Sequence, residues 1–290
     1  MKYIFHMITA LYLFGCSQAA NINLDEGKPQ VVLNSILDAT KDTIWAELSW
    51  SKPITSNFEL EAIDNATILL SANNEIVDTF SHFNKDRYFL NFTPCAADEY
   101  KITAIVENDT IWGTTRIPPL PKVTIEALGT YCRYYIAHIE TNTDENFTYW
   151  ISASLLTYKK DILIRREFIN GLKANQILLD DFNRTADAFC SLSFDYSYYL
   201  RILNTVEPQF DTIRFATGSG SSNERGEIVV FAADTHYDRF IKSSILGEYV
   251  ESVTSEMPLY SSLVVNYSNI HGGLGLLGSI NSITQVFKYD

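Results

Sequence analysis

Between residues 30 and 117 the apolar positions come in short runs with a period of two, separated by turn formers. Thr43 to Trp50 places Ile44, Ala46 and Leu48 on one side of an extended segment, the alternation of a half-buried strand. Val31-Val32-Leu33, Ala66 to Ser71, Ile76 to Phe80, Tyr88 to Phe92, Asp98 to Ala104 and Thr110 to Thr115 read the same way. Asp64-Asn65, Asn73-Asn74 and Asn84-Lys85-Asp86 supply the turns between them. About seven short strands in one stretch is the count of an immunoglobulin-like β-sandwich. Tyr100, early in a late strand, is placed to return its hydroxyl to the backbone, as in the tyrosine corner of such folds.

The pattern breaks at residues 118–121. Pro118, Pro119 and Pro121 flank Leu120, and so many prolines cannot sit in a central strand. They predict a stiff extended link, and hence a boundary between one β-domain over 30–117 and another over 122–290. The second half is again β-rich. Tyr131 to Glu140, Phe147 to Leu156 and Asp195 to Leu203 carry aromatic and β-branched residues. Phe194, Tyr196 and Tyr198 share a face there, which reads as sheet surface or core. Gly218 to Asn223 reads as a loop. One stripe has helical spacing: Tyr237, Phe240, Ile241, Ile245, Tyr249 and Val250 predict a helix near 235–252. Thr235 and Asp238 have capping-box spacing at its start. The expected fold is therefore all-β. An immunoglobulin-like sandwich is followed by a second sandwich-like domain carrying one packed α-helix.

The N-terminus has a different texture. Lys2 precedes an apolar run, Ile4 to Phe14, too short to span a bilayer and typical of a signal-peptide core. Leu13-Phe14-Gly15-Cys16 ends it in the manner of a bacterial lipobox. Residues 1–15 are expected to be removed and Cys16 to be acylated. Residues 16–29, polar with Asp25 and Glu26, read as a tether. The formal charge is −13, and loss of Lys2 takes the mature chain to −14. This excess of acid excludes a phosphate-neutralising surface, so nucleic acid is not an expected partner. It also leaves membrane attachment to the acyl chains rather than to lipid headgroups. With Cys16 modified, Cys95, Cys132 and Cys190 remain. A Cys132–Cys190 disulfide and three buried free thiols are both compatible with the chain; the thiols are favoured because nothing aligns the two side chains.

Motifs for chemistry are few. Gly273 to Gly278 spells G-x-G-x-x-G, but only twelve residues follow it and they read as a strand. A dinucleotide site needs strand, glycine turn and helix in that order. Gly272, Gly273 and Gly275 are therefore expected to shape the backbone. Neither an H-E-x-x-H nor a G-x-S-x-G pattern occurs. Asp234 to Asp238 and Asn142 to Asn146 contain metal-type ligands, yet read as a helix start and a solvated turn. No catalytic residue, metal or cofactor is expected. Asp42-Thr43-Ile44, Asp109-Thr110-Ile111 and Asp211-Thr212-Ile213 match a short bacterial O-glycosylation triplet, and read as strand composition.

Taken together, the chain resembles the bacterial outer-membrane lipoproteins of the family called domain of unknown function 4249. The lipobox at Leu13–Cys16, Val31-Val32-Leu33-Asn34, Asp98–Ala104, Ile117–Pro121, Asp234–Phe240 and the run Asn266–Gly275, which contains Asn269, carry the resemblance. This chain departs from the pattern at His271, where an acid is usual, and at Leu277, near which an aromatic is usual. The resemblance implies an exported outer-membrane lipoprotein, commonly encoded beside TonB-dependent receptors, with no established catalytic residues. The expected function is a non-catalytic accessory to such a receptor or transporter, held to the outer membrane by its N-terminal lipid. A surface adhesin or glycan-binding module is the alternative, and a hydrolase with a dispersed site a third reading. The tether lacks acids directly after Cys16, which leaves either face of the outer membrane open.

Replacing Cys16 with alanine should move the protein from the membrane to the soluble fraction on cell fractionation, since several acyl chains contribute about 0.8 kcal/mol per buried CH₂.

Overall fold

The computed structural model describes residues 28–52, 61–96, 98–128, 134–140, 147–168, 199–203, 210–216, 223–244 and 267–288. Nine strands occupy the first half: β1 (Val31–Asp38), β2 (Thr43–Trp50), β3 (Glu61–Ala62), β4 (Thr67–Ala72), β5 (Glu75–Thr79), β6 (Ser81–Asn84), β7 (Arg87–Asn91), β8 (Glu99–Val106) and β9 (Asp109–Arg116). Their inward positions are fully dry: Leu33, Leu37, Ile44, Ala46, Leu48, Ile68, Leu70, Ile102 and Ala104 are each at most 1% exposed. β1, β2, β7 and β6 lie side by side in one sheet, with β3 against β2; β5, β4, β8 and β9 form another. Inner residues of both sheets share one hydrophobic core, so this half is a β-sandwich. Asn73 and Asn74, with φ of 50° and 71°, close the β4–β5 hairpin, a conformation asparagine tolerates. Tyr100 fills the core and accepts the backbone N–H of Cys95 at 2.8 Å. Cys95 itself is exposed, contrary to the expected buried thiol, because that corner needs only its backbone.

The second half contributes β10 (Lys122–Leu128), β11 (Tyr134–Glu140), β12 (Thr148–Lys159), β13 (Ile162–Phe168), β14 (Tyr199–Leu203), β15 (Phe210–Ala216), β16 (Glu224–Ala233) and β17 (Leu274–Lys288). A helix, α1, runs over residues 235–244 between β16 and β17; the expected continuation to 252 lies outside the described residues. So do Cys132, Cys190, the Phe194–Tyr196–Tyr198 stripe and the 218–222 loop. β10, β11 and β15 make a three-stranded antiparallel sheet.

Strand β17 decides how the halves relate. Its N-terminal stretch runs parallel to β1, from Val32↔Leu274 to Asp38↔Ile280. Its C-terminal stretch runs antiparallel to β16, from Ala233↔Ile280 to Arg225↔Lys288. One ten-stranded sheet therefore passes through both halves in the order β13-β12-β16-β17-β1-β2-β7-β6. Leu277 of β17 and Ile270 before it enter the core of the first sandwich.

The proline segment, read from its composition as a domain boundary, leads from β9 of the four-stranded sheet to β10 of the three-stranded sheet, while the ten-stranded sheet passes through both halves. Pro118 and Pro121 are buried. The Asn281 side chain donates to the Pro118 carbonyl at 3.0 Å, and Gln285 to that of Val123 at 2.7 Å. Ser279 Oγ donates to the Arg116 carbonyl at 2.7 Å. Prolines have no N–H to join a ladder, and β17 supplies amide and hydroxyl donors to the carbonyls of the segment and its two flanks.

A chain ended at residue 266 lacks β17 and should lose the cooperative unfolding transition of the first sandwich as well as the second. Urea denaturation followed by tryptophan fluorescence checks this, and a retained transition from residues 30–117 would contradict it.

Candidate functional site

The outward face of β2, β7 and β6 carries aromatic residues where solvent-facing strands usually carry polar ones. Since Ile44, Ala46 and Leu48 point inward, period two sends Trp45 and Glu47 outward. On β7 the same alternation turns the half-buried Arg87 and Phe89 outward, and Trp45 lies directly opposite Phe89 in the ladder. Phe83 arrives by another route. The β6–β7 pairing shifts register between His82 and Asn84, a bulge that places Phe83 as the extra residue. It is 55% exposed and meets Trp45 edge-on at 5.4 Å and Phe89 edge-on at 6.2 Å. Trp45 and Phe89 are 5.7 Å apart. The Arg87 guanidinium sits 4.5 Å over the indole and 3.5 Å from Glu47. Ile36, 40% exposed on β1, lies on the same outward side of the sheet. Isolated exposed aromatics are ordinary; three in mutual contact with an arginine form the composition of an interface core.

A second feature is the seam where β1, β9 and β17 meet. Asn269 works as a strand surrogate: its Oδ1 accepts Leu277 N–H at 2.9 Å and its Nδ2 donates to Leu277 O at 2.8 Å. Asn34 Oδ1 accepts Leu276 N–H at 3.1 Å, so Val31–Asn34 and Asn269–Gly275 join although far apart in the chain. Gly272 has φ of 79° and Gly275 of 115°. A Cβ on Gly275 would lie 2.1 Å from Leu33 O, and one on Gly273 would lie 2.5 Å from Val31 O. The G-x-G-x-x-G run is thus mostly strand, and its glycines let two backbones approach. His271 stacks on Trp112 at 4.0 Å and Leu277 is fully buried.

The third feature is polar and buried. Asp234 caps α1, its Oδ1 accepting Tyr237 N–H at 2.8 Å. The cap is one residue earlier than the Thr235–Asp238 box, because the Asp238 carboxylate is committed elsewhere. It receives Arg201 Nε at 2.7 Å, Arg201 Nη2 at 2.6 Å and Trp150 Nε1 at 3.0 Å. This fork-to-fork pair, nearly inaccessible to solvent, pins α1 to β12 and β14. Burial pushes the Lys242 amine down, with Arg201 adding repulsion. Burial pushes the Asp234 carboxyl up, against its hydrogen-bond contacts with Tyr237, Thr115 and Ser279 and the nearby His236. Both carboxylates are thus bound into the scaffold. Among the described residues, no three His, Cys, Asp or Glu side chains come together as a metal site would need.

Of the residues singled out in the sequence, Asn269, Gly272, Gly273 and Gly275 meet at the seam, Pro118, Pro119 and Pro121 lie beside it, and Tyr100 is in the first core. Cys16 lies outside the described residues. Sequence pattern did not single out the aromatic face, because the strand is recognised by Ile44, Ala46 and Leu48 and the intervening Trp45 and Glu47 carry no weight in that recognition. The signal available for it was aromatic residues at the outward positions of two adjacent strands.

A family model described as "Domain of unknown function (DUF4249)" matches residues 19–285. No curated protein matches the chain. Among solved structures, the chain is similar to a DUF4785 family protein from Legionella pneumophila, at 10% identity and TM-score 0.27, covering 70% of this chain and 52% of that one. It is also similar to the FN1–FN3 domains of chicken CNTN1, at 12% identity and TM-score 0.21, covering 71% and 60%. The chain spans about half the length of the first of these.

Gly275→Ala should destabilise the protein by more than about 1 kcal/mol, since alanine is strained at positive φ and its methyl would meet the Leu33 carbonyl. The midpoint of urea unfolding measures it. Tight dinucleotide binding abolished by the same change would instead point to a nucleotide site.

Proposed function

The chain belongs to the DUF4249 family, and from that premise we propose that it is a non-catalytic, lipid-anchored outer-membrane protein that docks onto a TonB-dependent β-barrel receptor. The Trp45–Phe83–Phe89 face with Arg87 is the observation that carries this reading. Tryptophan and arginine dominate the energetics of protein interfaces when they sit centrally and become desolvated. The face belongs to the sandwich nearest the N-terminus, so the tether from Cys16 leads directly to the sandwich that would dock. The bulge at Phe83 also blunts the β6 edge, which favours recognition by side chains over strand-to-strand pairing. Buried hydrogen-bonded carboxyl groups at Asp234 and Asp238 serve as structural ties, which supports a binding role rather than turnover.

The adhesin reading uses the same face. A flat indole beside Glu47 and Arg87 also suits the apolar side of a sugar ring with its hydroxyls. The two readings differ in the partner recovered.

A tagged protein purified from detergent-solubilised envelopes of its host should bring down a β-barrel companion. Trp45→Ala with Phe83→Ala should reduce that recovery at least tenfold, about 1.4 kcal/mol, with membrane fractionation and unfolding midpoint unchanged. Undiminished recovery of the companion would reject this face as the docking surface. Binding to immobilised glycans, lost in the same variant, would replace the receptor with a sugar.

A further inference from the structure

Four oxygens stand in a row where β9, β17 and α1 meet. Asp234 Oδ2 is 2.7 Å from Thr115 Oγ1, which is 2.9 Å from Ser279 Oγ, which is 2.7 Å from the Arg116 carbonyl oxygen. Every contact is within hydrogen-bond distance, and Asp234, Thr115 and Ser279 are each 4% exposed or less. Each contact needs one proton between its oxygens. The carbonyl at the far end has none to give. Thr115 and Ser279 supply one hydroxyl proton each, so three contacts share two protons unless the row begins with a third.

Ser279 must donate to Arg116, because nothing else can fill that contact. Thr115 must then donate to Ser279. The remaining contact, between Thr115 and Asp234, is completed only if the carboxyl donates. The opposite assignment, with Thr115 donating to an ionised Asp234, leaves two buried hydroxyl oxygens facing each other without a proton. That arrangement would carry the penalty of unsatisfied buried polar groups. Asp234 Oδ1 is compatible with the neutral acid, since among the described residues it accepts from Tyr237 N–H at 2.8 Å and Ser279 N–H at 3.2 Å.

The charged groups around this carboxyl do not supply a counter-ion bond. On α1, His236 bonds Tyr267 through Nδ1 at 2.7 Å. Asp238 is closed onto Arg201 of β14. Lys242 lies two turns further along the helix. From β9 and β17 the groups facing Asp234 are hydroxyls and backbone, with the Asn281 side chain given to Pro118. The N-terminus of α1 and a protonated His236 favour the anion, and burial opposes it.

We infer that the folded protein holds Asp234 as the neutral acid, making its proton a structural part of the junction between the two halves and setting an alkaline limit on that junction. The sign follows from linkage. An unfolded aspartate ionises at about 3.9. Above that value the unfolded chain releases the proton and the folded chain keeps it, so the folded state loses advantage as pH rises until the folded carboxyl itself ionises.

Asp234→Asn tests this, because the amide keeps the acceptor Oδ1 and supplies a permanent donor toward Thr115. Urea unfolding of both proteins from about pH 4 to about pH 9 should show the wild type weakening relative to the variant, by up to tenfold in unfolding constant per pH unit within the window. Titrating groups that do not interact with Asp234 cancel in this difference. A wild type that holds constant against the variant, or gains on it, as pH rises would mean that Asp234 is ionised. Infrared spectra of wild-type protein labelled with carboxyl-¹³C aspartate give a readout that survives a misfolded variant. A carboxylic-acid C=O stretch at neutral pH is expected, and a spectrum containing only carboxylate bands would overturn the inference.

Discussion

The parallel pairing of β17 with β1 is the constraint on which the rest of the structure depends. It brings residues 32–38 against residues 274–280, with nearly the whole chain as the intervening loop. Closing a loop of that length costs about 5 kcal/mol in chain entropy by the logarithmic law. The return lies in burial. Leu276 and Leu277 are 2% and 0% exposed, and Leu33 and Leu37 opposite are 0%. Fully burying each such side chain contributes roughly 1.5–3 kcal/mol. Backbone contact this close requires Gly273 and Gly275, whose missing side chains leave room for the Val31 and Leu33 carbonyls.

Once β17 is in place, several distant segments acquire their positions from it. Its Ser279, Asn281 and Gln285 hold the crossover after β9. Its Ser279 N–H also meets Asp234, which fixes where α1 begins. The Asp238–Arg201 pair then fixes how α1 lies on β12 and β14. A buried ion pair of this kind adds little net stability over an apolar replacement, but losing one member would strand the other charge. Its value is orientation: one bidentate geometry admits one placement of the helix.

The aromatic face bears none of this structural duty. Trp45, Phe83 and Phe89 point away from the sandwich core and pack on one another. Their positions do follow from the sheet, through the Trp45–Phe89 ladder pair and the bulge at Phe83. Rigid strands thus display a cluster that is chemically suited to binding. The tether and the acyl anchor expected at Cys16 would bring that cluster to a membrane surface.

The sequence by itself determined the all-β character, the first set of strands, the turn at Asn73-Asn74, the start of the helix to within one residue and the backbone role of Gly272, Gly273 and Gly275. These are local properties, settled by period, propensity and backbone sterics among neighbouring residues. Tertiary structure alone decided that the proline segment is held by β17 as it passes from β9 to β10, that Asn34 and Asn269 serve the same strand, and that Phe83 joins Trp45. It also decided that Asp234 shares a row of oxygens with Thr115 and Ser279. Local pattern says which face of a strand is apolar, but pairing partners and buried hydrogen bonds are chosen by which segment satisfies them, and separations as large as the 119 residues from Thr115 to Asp234 or the 242 from Asn34 to Leu276 leave no periodic trace.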